Sequence, residues 1–331
     1  MVDMIPSIDL GLYIKGSARD RRNAVDGVSQ VMGETGFFFV TGHGLATDLI
    51  EKTRRTALDF FNKPLAAKLL SSHPSGSLNR GYTPYAGESN ANSSGRGSVA
   101  DMREGFIFGP FDRPQDLPES NMSLYAYEPN IWPTEFNEMA AVMEEYYRHL
   151  AELNKTLLSI FANVLGLETS FFEQMFDRHS STVRLLHYPP QTSKPADGQL
   201  RCGAHTDFGI HTILLADNAP TGLQVCDNTE RWIDVVPPPN SFVINIGDMM
   251  KMWTNDRWAS TLHRVRNPIE DECTKSRLSI AFFTYPNPDA IIKCLPTCCS
   301  PENPPHHPSV VAGEYRRTKI NAITTETLGV S

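Results

Sequence analysis

The sequence predicts a mainly β protein, a sandwich or barrel of short strands preceded by a region richer in helices. Six short runs of β-branched and aromatic residues follow one another closely in the second half, and Pro, Gly, Asn and Asp separate them. A long amphipathic segment comes before these runs, and such a helix needs a broad surface to lie on. Long helices do not alternate with the strands, which disfavours a parallel doubly wound sheet.

The first third of the chain mixes short strands and helices. IPSIDL predicts an edge strand, residues 17–34 a helix, GFFFVTGH a buried aromatic strand and residues 47–61 a second helix. From Ser71 to Arg103 the composition turns to Ser, Gly and Asn, with NRGYTPY inside it. This change predicts a long surface excursion, of a kind that is often functional.

The middle of the chain predicts one long helix followed by the strands. Pro133 and Thr134 give a start signal, and apolar residues then recur at helical spacing as far as Val164, with Gly166 near the end. The strand runs are VRLLHY, HTILLA, GLQVC, RWIDVV, SFVINI and RLSIAFFTY. Neither an internal repeat nor a linker divides the chain, so we expect a single domain.

Composition and charge restrict the class of partner. Hydrophobic residues make up 40% and charged residues 21%, which is the ordinary globular range and excludes global disorder. The formal net charge of -8 disfavours nucleic acid and anionic lipid as partners, although a local basic pocket could still bind a small acid. A small-molecule partner fits better.

The N-terminus and the cysteines bear on the compartment. The first segment lacks the uninterrupted apolar core of a signal peptide, and no later segment approaches the length of a membrane span. The six cysteines include no CxxC pair, which indicates neither a disulfide framework nor a zinc ribbon. We therefore expect a cytoplasmic protein that does not bind membranes.

A candidate metal site comes from two separate segments. GAHTDFG places His205 and Asp207 two residues apart, on one face of a predicted strand, although a single H-x-D arises easily by chance. His263 in STLHRV lies on a second β-like segment after a buried-looking strand and turn. Two histidines and one carboxylate on different strands form the facial triad of non-haem Fe(II) oxygenases, whereas zinc usually takes another protein ligand.

A candidate carboxylate site follows the third ligand. Arg277 and Ser279 lie on one face of the strand RLSIAFF, because side chains alternate along a strand. Arginine offers a planar fork suited to a carboxylate, and serine adds a hydroxyl donor. Tyr188, at the end of RLLHYPP, could supply a further hydroxyl. Each residue alone could be structural, but the triad followed by Arg-x-Ser is hard to explain as packing.

Taken in order, these motifs resemble the Fe(II)/2-oxoglutarate-dependent dioxygenases of the isopenicillin N synthase-like group, over nearly the whole chain. IPSIDL, GFFFVTGHGL, ALDFFNKP, NRGYTPYAGE and DMREGF resemble the group's N-terminal region, and RLLHYPP, HTDFG, STLHRV, RLSIAFF and GEY its catalytic half. The resemblance implies a distorted double-stranded β-helix, or jelly roll, with α decoration and a helical N-terminal region. It divides the single domain 1–331 into an N-terminal dioxygenase region (1–130), a long supporting helix (134–166), a jelly-roll catalytic core (180–300), and a C-terminal helix and tail (308–331).

The resemblance also implies the roles of the site residues. His205, Asp207 and His263 match the ligands of Fe(II), Arg277 and Ser279 match the residues that hold the distal carboxylate of 2-oxoglutarate, and Tyr188 matches a tyrosine that often assists that cosubstrate. Two features depart from many plant members: Leu186 replaces the Asn of an Asn-x-Tyr motif, and DECTK lengthens the segment before Arg277.

The substrate side is expected to include part of the polar excursion, whose loop would close over the substrate. The expected residues are Arg80, Tyr82, His187, Phe208 and Phe283, with an ordinary core or surface position as the alternative for His187.

The expected activity couples oxidative decarboxylation of 2-oxoglutarate, with O2, to hydroxylation or desaturation of a small organic molecule, as in specialised metabolism. Two alternatives stay open. One is a substrate-only oxidase or cyclase on the same fold, because such members carry Arg-x-Ser too, and the other is a metal-binding, non-catalytic jelly-roll module. The sequence defines neither the substrate, the pathway nor the oligomeric state.

Overall fold

The strands of the protein lie mostly in its second half. The computed structural model describes residues 5–94, 99–115, 121–136, 138–217 and 222–323. The strands in these ranges are β1 (Ser7–Asp9), β2 (Phe37–Thr41), β3 (Gly81–Thr83), β4 (Glu104–Phe108), β5 (Thr182–Tyr188), β6 (Cys202–His205), β7 (His211–Leu215), β8 (Leu223–Cys226), β9 (Trp232–Asp234), β10 (Phe242–Ile246), β11 (His263–Val265), β12 (Arg277–Phe283), β13 (Ile291–Ile292) and β14 (Val310–Val311).

Helices precede the strands, connect them and end the described chain. They are α1 (Leu10–Lys15), α2 (Ala18–Met32), α3 (Thr47–Phe61), α4 (Leu65–Leu69), α5 (Asn121–Ala126), α6 (Glu138–Val164), α7 (Glu173–Phe176), α8 (Asp248–Trp253) and α9 (Ala312–Ile323), and short 3-10 turns cover Asn90–Ser94, Glu270–Glu272 and Pro296–Cys298. None of the described helices combines the length and the apolar composition that crossing a bilayer requires.

Two sheets build the β core. The larger sheet has the strand order β1-β2-β10-β7-β12-β5-β4-β3, and the smaller one the order β6-β11-β8-β9. Only β1 and β2 pair in parallel within the large sheet, and its other neighbours are antiparallel. Apolar side chains from both sheets form one buried cluster, which includes Phe39, Val243, Val225 and Val265. The sheets therefore enclose a common interior, as the predicted jelly roll requires.

The long helix α6 lies against the outer face of the large sheet. Its buried side chains include Met143, Leu150 and Leu157, and they join a hydrophobic cluster with sheet residues such as Ile213 and Phe282. The predicted helix is confirmed, but it begins at Glu138 rather than near Thr134. A turn that joins the Phe136 amide to the Pro133 carbonyl (3.1 Å) precedes it.

Most of the predicted elements occur where the patterns placed them. IPSIDL contains β1, which is an edge strand of the large sheet, and GFFFVTGH contains the buried β2. The two early helices are α2 and α3, and Ser17 caps α2 through a reciprocal bond with Asp20. The six predicted runs of the second half contain β5, β7, β8, β9, β10 and β12. The predicted C-terminal helix is α9, and the predicted tail from residue 324 lies outside the described residues.

The polar segment from Ser71 to Arg103 is not the surface excursion that its composition predicts. It contributes β3 to the large sheet, and many of its polar side chains are buried. Burial is possible because the charges are compensated inside the protein. The Glu88 carboxylate pairs with both Arg103 (2.7 Å) and Arg184, for example. Residues 95–98 of the segment lie outside the described residues.

Candidate metal and cosubstrate site

Three buried side chains converge at one end of the smaller sheet. His205 is the last residue of β6 and His263 the first of β11, and the two residues lie directly opposite each other in the antiparallel pairing. Their ring centroids are 4.3 Å apart. Oδ1 of Asp207 lies 3.9 Å from Nε2 of His205 and 3.7 Å from Nε2 of His263. One metal ion fits between these atoms, since one ligand atom from each side chain lies within 4.8 Å of the other two.

Asp207 reaches this position from a turn and not from the strand on which the sequence pattern placed it. β6 ends at His205, and the Asp207 carbonyl accepts a hydrogen bond from the Asp248 amide at 2.7 Å. The segment that follows packs closely against the residue after β12, because a Cβ at Gly209 would lie 2.3 Å from the carbonyl oxygen of Thr284. The prediction of a shared strand face was therefore wrong, although its conclusion that the two side chains converge is confirmed.

Hydrogen bonds orient each of the three side chains. Nδ1 of His205 bonds to the Gly203 carbonyl (2.8 Å) and Nδ1 of His263 to the Thr261 carbonyl (3.1 Å), so the Nε2 atoms are the ones that face the metal position. Nε2 of His205 also lies 3.3 Å from Nδ2 of Asn90, a contact that a bound metal ion would replace. Oδ2 of Asp207 accepts hydrogen bonds from two side chains that flank it, Thr212 Oγ1 (2.5 Å) and Asn245 Nδ2 (2.6 Å). Oδ1 of Asp207 remains available as a ligand atom.

The protonation states also suit metal binding. Burial alone would raise the pKa of Asp207, but the nearby His263 and His205, together with the bonds from Asn245 and Thr212, lower it below its usual range. Burial and the proximity of His205 lower the pKa of His263 well below its ordinary value. An ionised carboxylate and a neutral imidazole are the forms that bind a metal ion.

We predict that Asn245→Ala and Thr212→Val each weaken metal binding without removing it. Each change deletes a donor that orients Asp207, and loss of such an outer partner typically costs about 10–100-fold in metal affinity or activity. Isothermal titration with Fe(II) or Mn(II) measures the change. Thr254→Val serves as the control, because that buried hydroxyl donates to the Met250 carbonyl instead. An affinity equal to that of the wild type in both variants would show that these bonds do not support the site.

A cavity between the sheets joins the triad to Arg277. Arg277 and Ser279 both line it, and Nη1 of Arg277 donates to Ser279 Oγ at 3.2 Å. Tyr188 pairs with Arg277 across the two strands, and the guanidinium lies 4.6 Å from the centre of its ring. The structure thus brings together all six residues that the sequence assigned to metal and cosubstrate.

The Arg277 side chain has no anionic partner in the described part of the chain. It is 4% exposed, and its Nε makes no hydrogen bond there. A buried cation without a counter-ion is costly, and a bidentate carboxylate is the ligand that best matches a guanidinium. The residues therefore fit a dicarboxylate such as 2-oxoglutarate, with one end near the triad and the other at Arg277.

Comparison with known proteins agrees with this geometry. Residues 179–286 match the family model of the 2OG-Fe(II) oxygenase superfamily, and residues 5–135 match the N-terminal model described as non-haem dioxygenase in morphine synthesis. A 2-oxoglutarate-Fe(II) type oxidoreductase of Aspergillus fumigatus is 32% identical to this chain, over 98% of this chain and 97% of that protein. This chain belongs to the 2-oxoglutarate-Fe(II) dioxygenases. It is an oxidoreductase that uses Fe(II), 2-oxoglutarate and O2 and acts on a small molecule.

Two further relatives of this dioxygenase have more specific descriptions. Homoarginine-6-hydroxylase of Arabidopsis thaliana is 32% identical, over 89% of this chain and 88% of that protein. A full-length Neurospora crassa protein, crystallised with 2-oxoglutarate and thymine, superposes with a TM-score of 0.84 at 27% identity and covers 96% of each chain. These matches extend over the N-terminal region as well as the β core, so the double-stranded β-helix fold is confirmed.

A second cavity adjoins the triad and is the candidate substrate pocket of the dioxygenase. Both His205 and Asp207 form part of its wall. Phe208 and Phe283, two of the five predicted substrate residues, line it. The remaining lining residues come from distant segments: Leu78, Asn90, Ile107, Thr182, Arg184, Tyr285, Arg316, Ile320 and Ile323. No local motif marked these residues, because only the fold brings their segments together.

The other three predicted substrate residues do not line this pocket. The Arg80 guanidinium donates to the backbone carbonyls of Asn79, Ala126 and Glu128, which holds the chain locally. Tyr82 donates its hydroxyl to Glu104, and His187 bonds to the other oxygen of the same carboxylate. Arg80, Tyr82 and His187 are therefore buried side chains with partners inside the protein, and none of them lies in the wall of this cavity.

Glu104 is the centre of a buried polar cluster behind the sheet. Burial alone would raise the pKa of Glu104, but hydrogen bonds from His187, Lys68 and Tyr82 lower it below its usual range. The Lys68 ammonium lies 2.7 Å from the carboxylate, and the His187 ring stacks on Phe61 at 5.0 Å. These contacts give Tyr82 a structural role.

We predict that Tyr82→Ala destabilises the fold by about 3–5 kcal/mol, the range typical of large aromatic side chains removed from a core. Chemical denaturation measures the free energy of unfolding. The ratio of product to succinate should stay at the wild-type value in the folded fraction. The neighbouring Tyr85→Ala is the control, since Tyr85 is 49% exposed and should cost little. If Tyr82→Ala had wild-type stability but a lower ratio of product to succinate, Tyr82 would instead help to close the site over the substrate.

Proposed function

We propose that His205, Asp207 and His263 hold Fe(II) in this dioxygenase, and that Arg277 and Ser279 bind the distal carboxylate of 2-oxoglutarate. The observation that carries this proposal is the single cavity that has all five residues in its wall. Bound together, iron and 2-oxoglutarate supply the oxidising chemistry, in which O2 and 2-oxoglutarate yield succinate, CO2 and one oxygen atom for the substrate.

The protein's own residues position the reactants and exclude water. The Arg277 guanidinium lies over the Tyr188 ring, which helps to fix its position in the cavity. Leu186, Leu214 and Val265 line the same cavity, so its wall is largely apolar. A low-dielectric wall strengthens the attraction between Arg277 and a carboxylate, and it keeps bulk water from the reacting atoms.

We further propose that the enzyme hydroxylates a small organic molecule. This molecule would bind next to the triad, in contact with Phe208 and Phe283. The relatives support this reaction type, because one is named a homoarginine hydroxylase and another binds thymine together with 2-oxoglutarate. Since homoarginine and thymine are so different, the names support the reaction and not a particular substrate. Desaturation of the substrate would use the same metal, cosubstrate and substrate positions, and it remains the second candidate reaction.

The two alternative readings are less well supported by the site. A substrate-only oxidase or cyclase draws no electrons from 2-oxoglutarate, so the buried Arg277 would need a different anion as its partner. A non-catalytic module that only binds a metal has no need of a buried arginine in the same cavity as the metal ligands. Measuring succinate against consumed substrate separates these cases: one succinate per product supports the proposal, whereas product without succinate supports the oxidase.

We also propose a cytoplasmic location. All six cysteines lie in the described part of the chain and are free thiols, which is consistent with a reducing compartment. Fractionation of the source cells with antibody detection tests this point, and recovery of the protein in a secreted fraction would contradict it.

A further inference from the structure

The C-terminal helix forms one wall of the candidate substrate pocket. Helix α9 contributes Arg316, Ile320 and Ile323 to the cavity that also exposes the metal ligands. The end of α9 is tied to the rest of the fold by a hydrogen bond from the Ser89 amide to the Ile323 carbonyl (3.1 Å). The side chains of α9 are therefore held in place against the pocket.

Arg316 is buried in this wall with its hydrogen-bonding capacity only partly used. It is 3% exposed, and its two terminal nitrogens each make one bond, to the Ser180 carbonyl (3.2 Å) and to Asn79 Oδ1 (2.9 Å). Nε has no partner. The guanidinium also lies 4.6 Å from the centre of the Tyr285 ring, which lines the same pocket. Each terminal nitrogen keeps a second N–H for another acceptor.

No carboxylate of the described residues forms an ion pair with Arg316. Glu128, which lies close by, accepts hydrogen bonds from His73 (2.5 Å) and Asn79 (2.9 Å) instead. Arg80 adds a second buried positive charge, and burial together with the nearby Arg316 lowers the pKa of Arg80 to about 10. This part of the protein therefore has an excess of buried positive charge, which an anion would relieve.

The other basic side chains near the pocket differ from Arg316 in this respect. Arg184 lines the cavity too, but the buried Glu88 carboxylate neutralises it. Lys319, on the same helix, lies 3.7 Å from Asp248. Among the described residues that line the pocket, Arg316 is the cation without a counter-ion. The apolar side chains around it, such as Ile320 and Ile323, suit the hydrocarbon part of a ligand.

We infer that the substrate of this dioxygenase is a small organic acid and that Arg316 binds its carboxylate. The inference rests on the proposed function, and it adds the chemical class of the substrate and the residue that selects it. The acid group would bind at Arg316 while the apolar part of the molecule extends towards Phe208, Phe283 and the triad. A bidentate pair with a guanidinium in a dry pocket discriminates strongly against a neutral group of the same shape.

The experiment compares carboxylic acids with their primary amides, which have nearly the same size but no charge. Phenylacetate and phenylacetamide, 3-phenylpropionate and its amide, and indole-3-acetate and its amide serve as probes. Their affinities are measured without oxygen by titration of the protein loaded with Mn(II) and 2-oxoglutarate. For the wild type we expect at least one acid to bind about thirtyfold or more tightly than its amide, the ratio that a loss of about 2 kcal/mol produces.

Arg316→Gln should reduce this ratio to near one, and Arg316→Lys should retain part of it. Arg317→Gln, which removes an exposed charge from the same helix, should leave the ratio unchanged. The ratio is measured within each protein preparation, so a smaller folded fraction does not alter it. Wild-type protein that binds amides as tightly as acids, or binds none of the acids, contradicts the inference, as does an acid preference that survives in Arg316→Gln.

A titration of 2-oxoglutarate in the same protein samples distinguishes a wrong substrate class from a wrong assignment of the iron and 2-oxoglutarate site. If 2-oxoglutarate binds normally and the acids do not, the proposed function stands and the substrate class is wrong. If 2-oxoglutarate itself does not bind in the presence of Mn(II), the proposed function fails first, and the inference about Arg316 is rejected with it.

Discussion

Replacing Asp207 with Ala is expected to abolish iron-dependent turnover while the protein remains folded. The change removes a negatively charged ligand and leaves two histidines, His205 and His263, which hold a metal ion far more weakly. We expect iron affinity to fall by more than about a hundredfold, beyond the range typical of partners outside the ligand set. Metal titration and succinate formation measure the two effects, and circular dichroism reports the fold.

The expected survival of the fold follows from the surroundings of the ligand. Asp207 lies in a turn whose backbone is held by the Asp248 amide, and the packing of the sheets comes from other residues. Asp227→Ala is the matched control, because Asp227 stabilises the turn between β8 and β9 and lines neither cavity. Unchanged iron affinity and turnover in Asp207→Ala would refute the assignment of this ligand.

Replacing Arg277 with Leu is expected to raise the KM for 2-oxoglutarate by about a hundredfold or more. Loss of one partner from a buried, hydrogen-bonded charge pair typically costs about 2–5 kcal/mol. Iron affinity should change little, because Arg277 contacts Ser279 and Tyr188 and makes no bond to the ligands. Initial rates of succinate formation over a range of 2-oxoglutarate concentrations give the KM, and a parallel metal titration serves as the internal control.

Two companion variants separate charge from shape at Arg277. Arg277→Lys keeps the charge but loses the planar fork, so its KM should lie between those of the wild type and Arg277→Leu. Ser279→Ala removes one neutral hydroxyl and should have a smaller effect, of about tenfold or less. If Arg277→Leu bound 2-oxoglutarate as the wild type does, the cosubstrate would have to bind elsewhere in the cavity.

The metal and cosubstrate residues could be predicted from the sequence because each lies in a short motif that can be recognised from its neighbouring residues. Strand periodicity places Arg277 and Ser279 on one face, and the structure places both of them in the same cavity. The histidines were recognisable because their motifs occur in the order found in the family. Asp207 shows the limit of this reasoning, since the right convergence was inferred from the wrong local structure.

The substrate side could not be predicted in the same way. The polar composition around Arg80 and Tyr82 indicated a surface loop, but internal partners such as Glu104 compensate these side chains in the core. Composition alone does not distinguish a solvated polar segment from one whose charges are paired inside the protein. The sequence also did not predict a role for Arg316. Nothing near Arg316 in the sequence shows that its buried side chain lacks a counter-ion.

The most direct test of the central claim is an oxygen-free titration of the wild-type protein with Fe(II) and then with 2-oxoglutarate. We expect one Fe(II) per chain and one 2-oxoglutarate per chain, with cosubstrate binding strongly dependent on the metal. We also expect that His263→Ala loses both binding events and that Arg277→Leu loses chiefly the second. Tight binding of 2-oxoglutarate to metal-free protein, or full binding of both in His263→Ala, would contradict it.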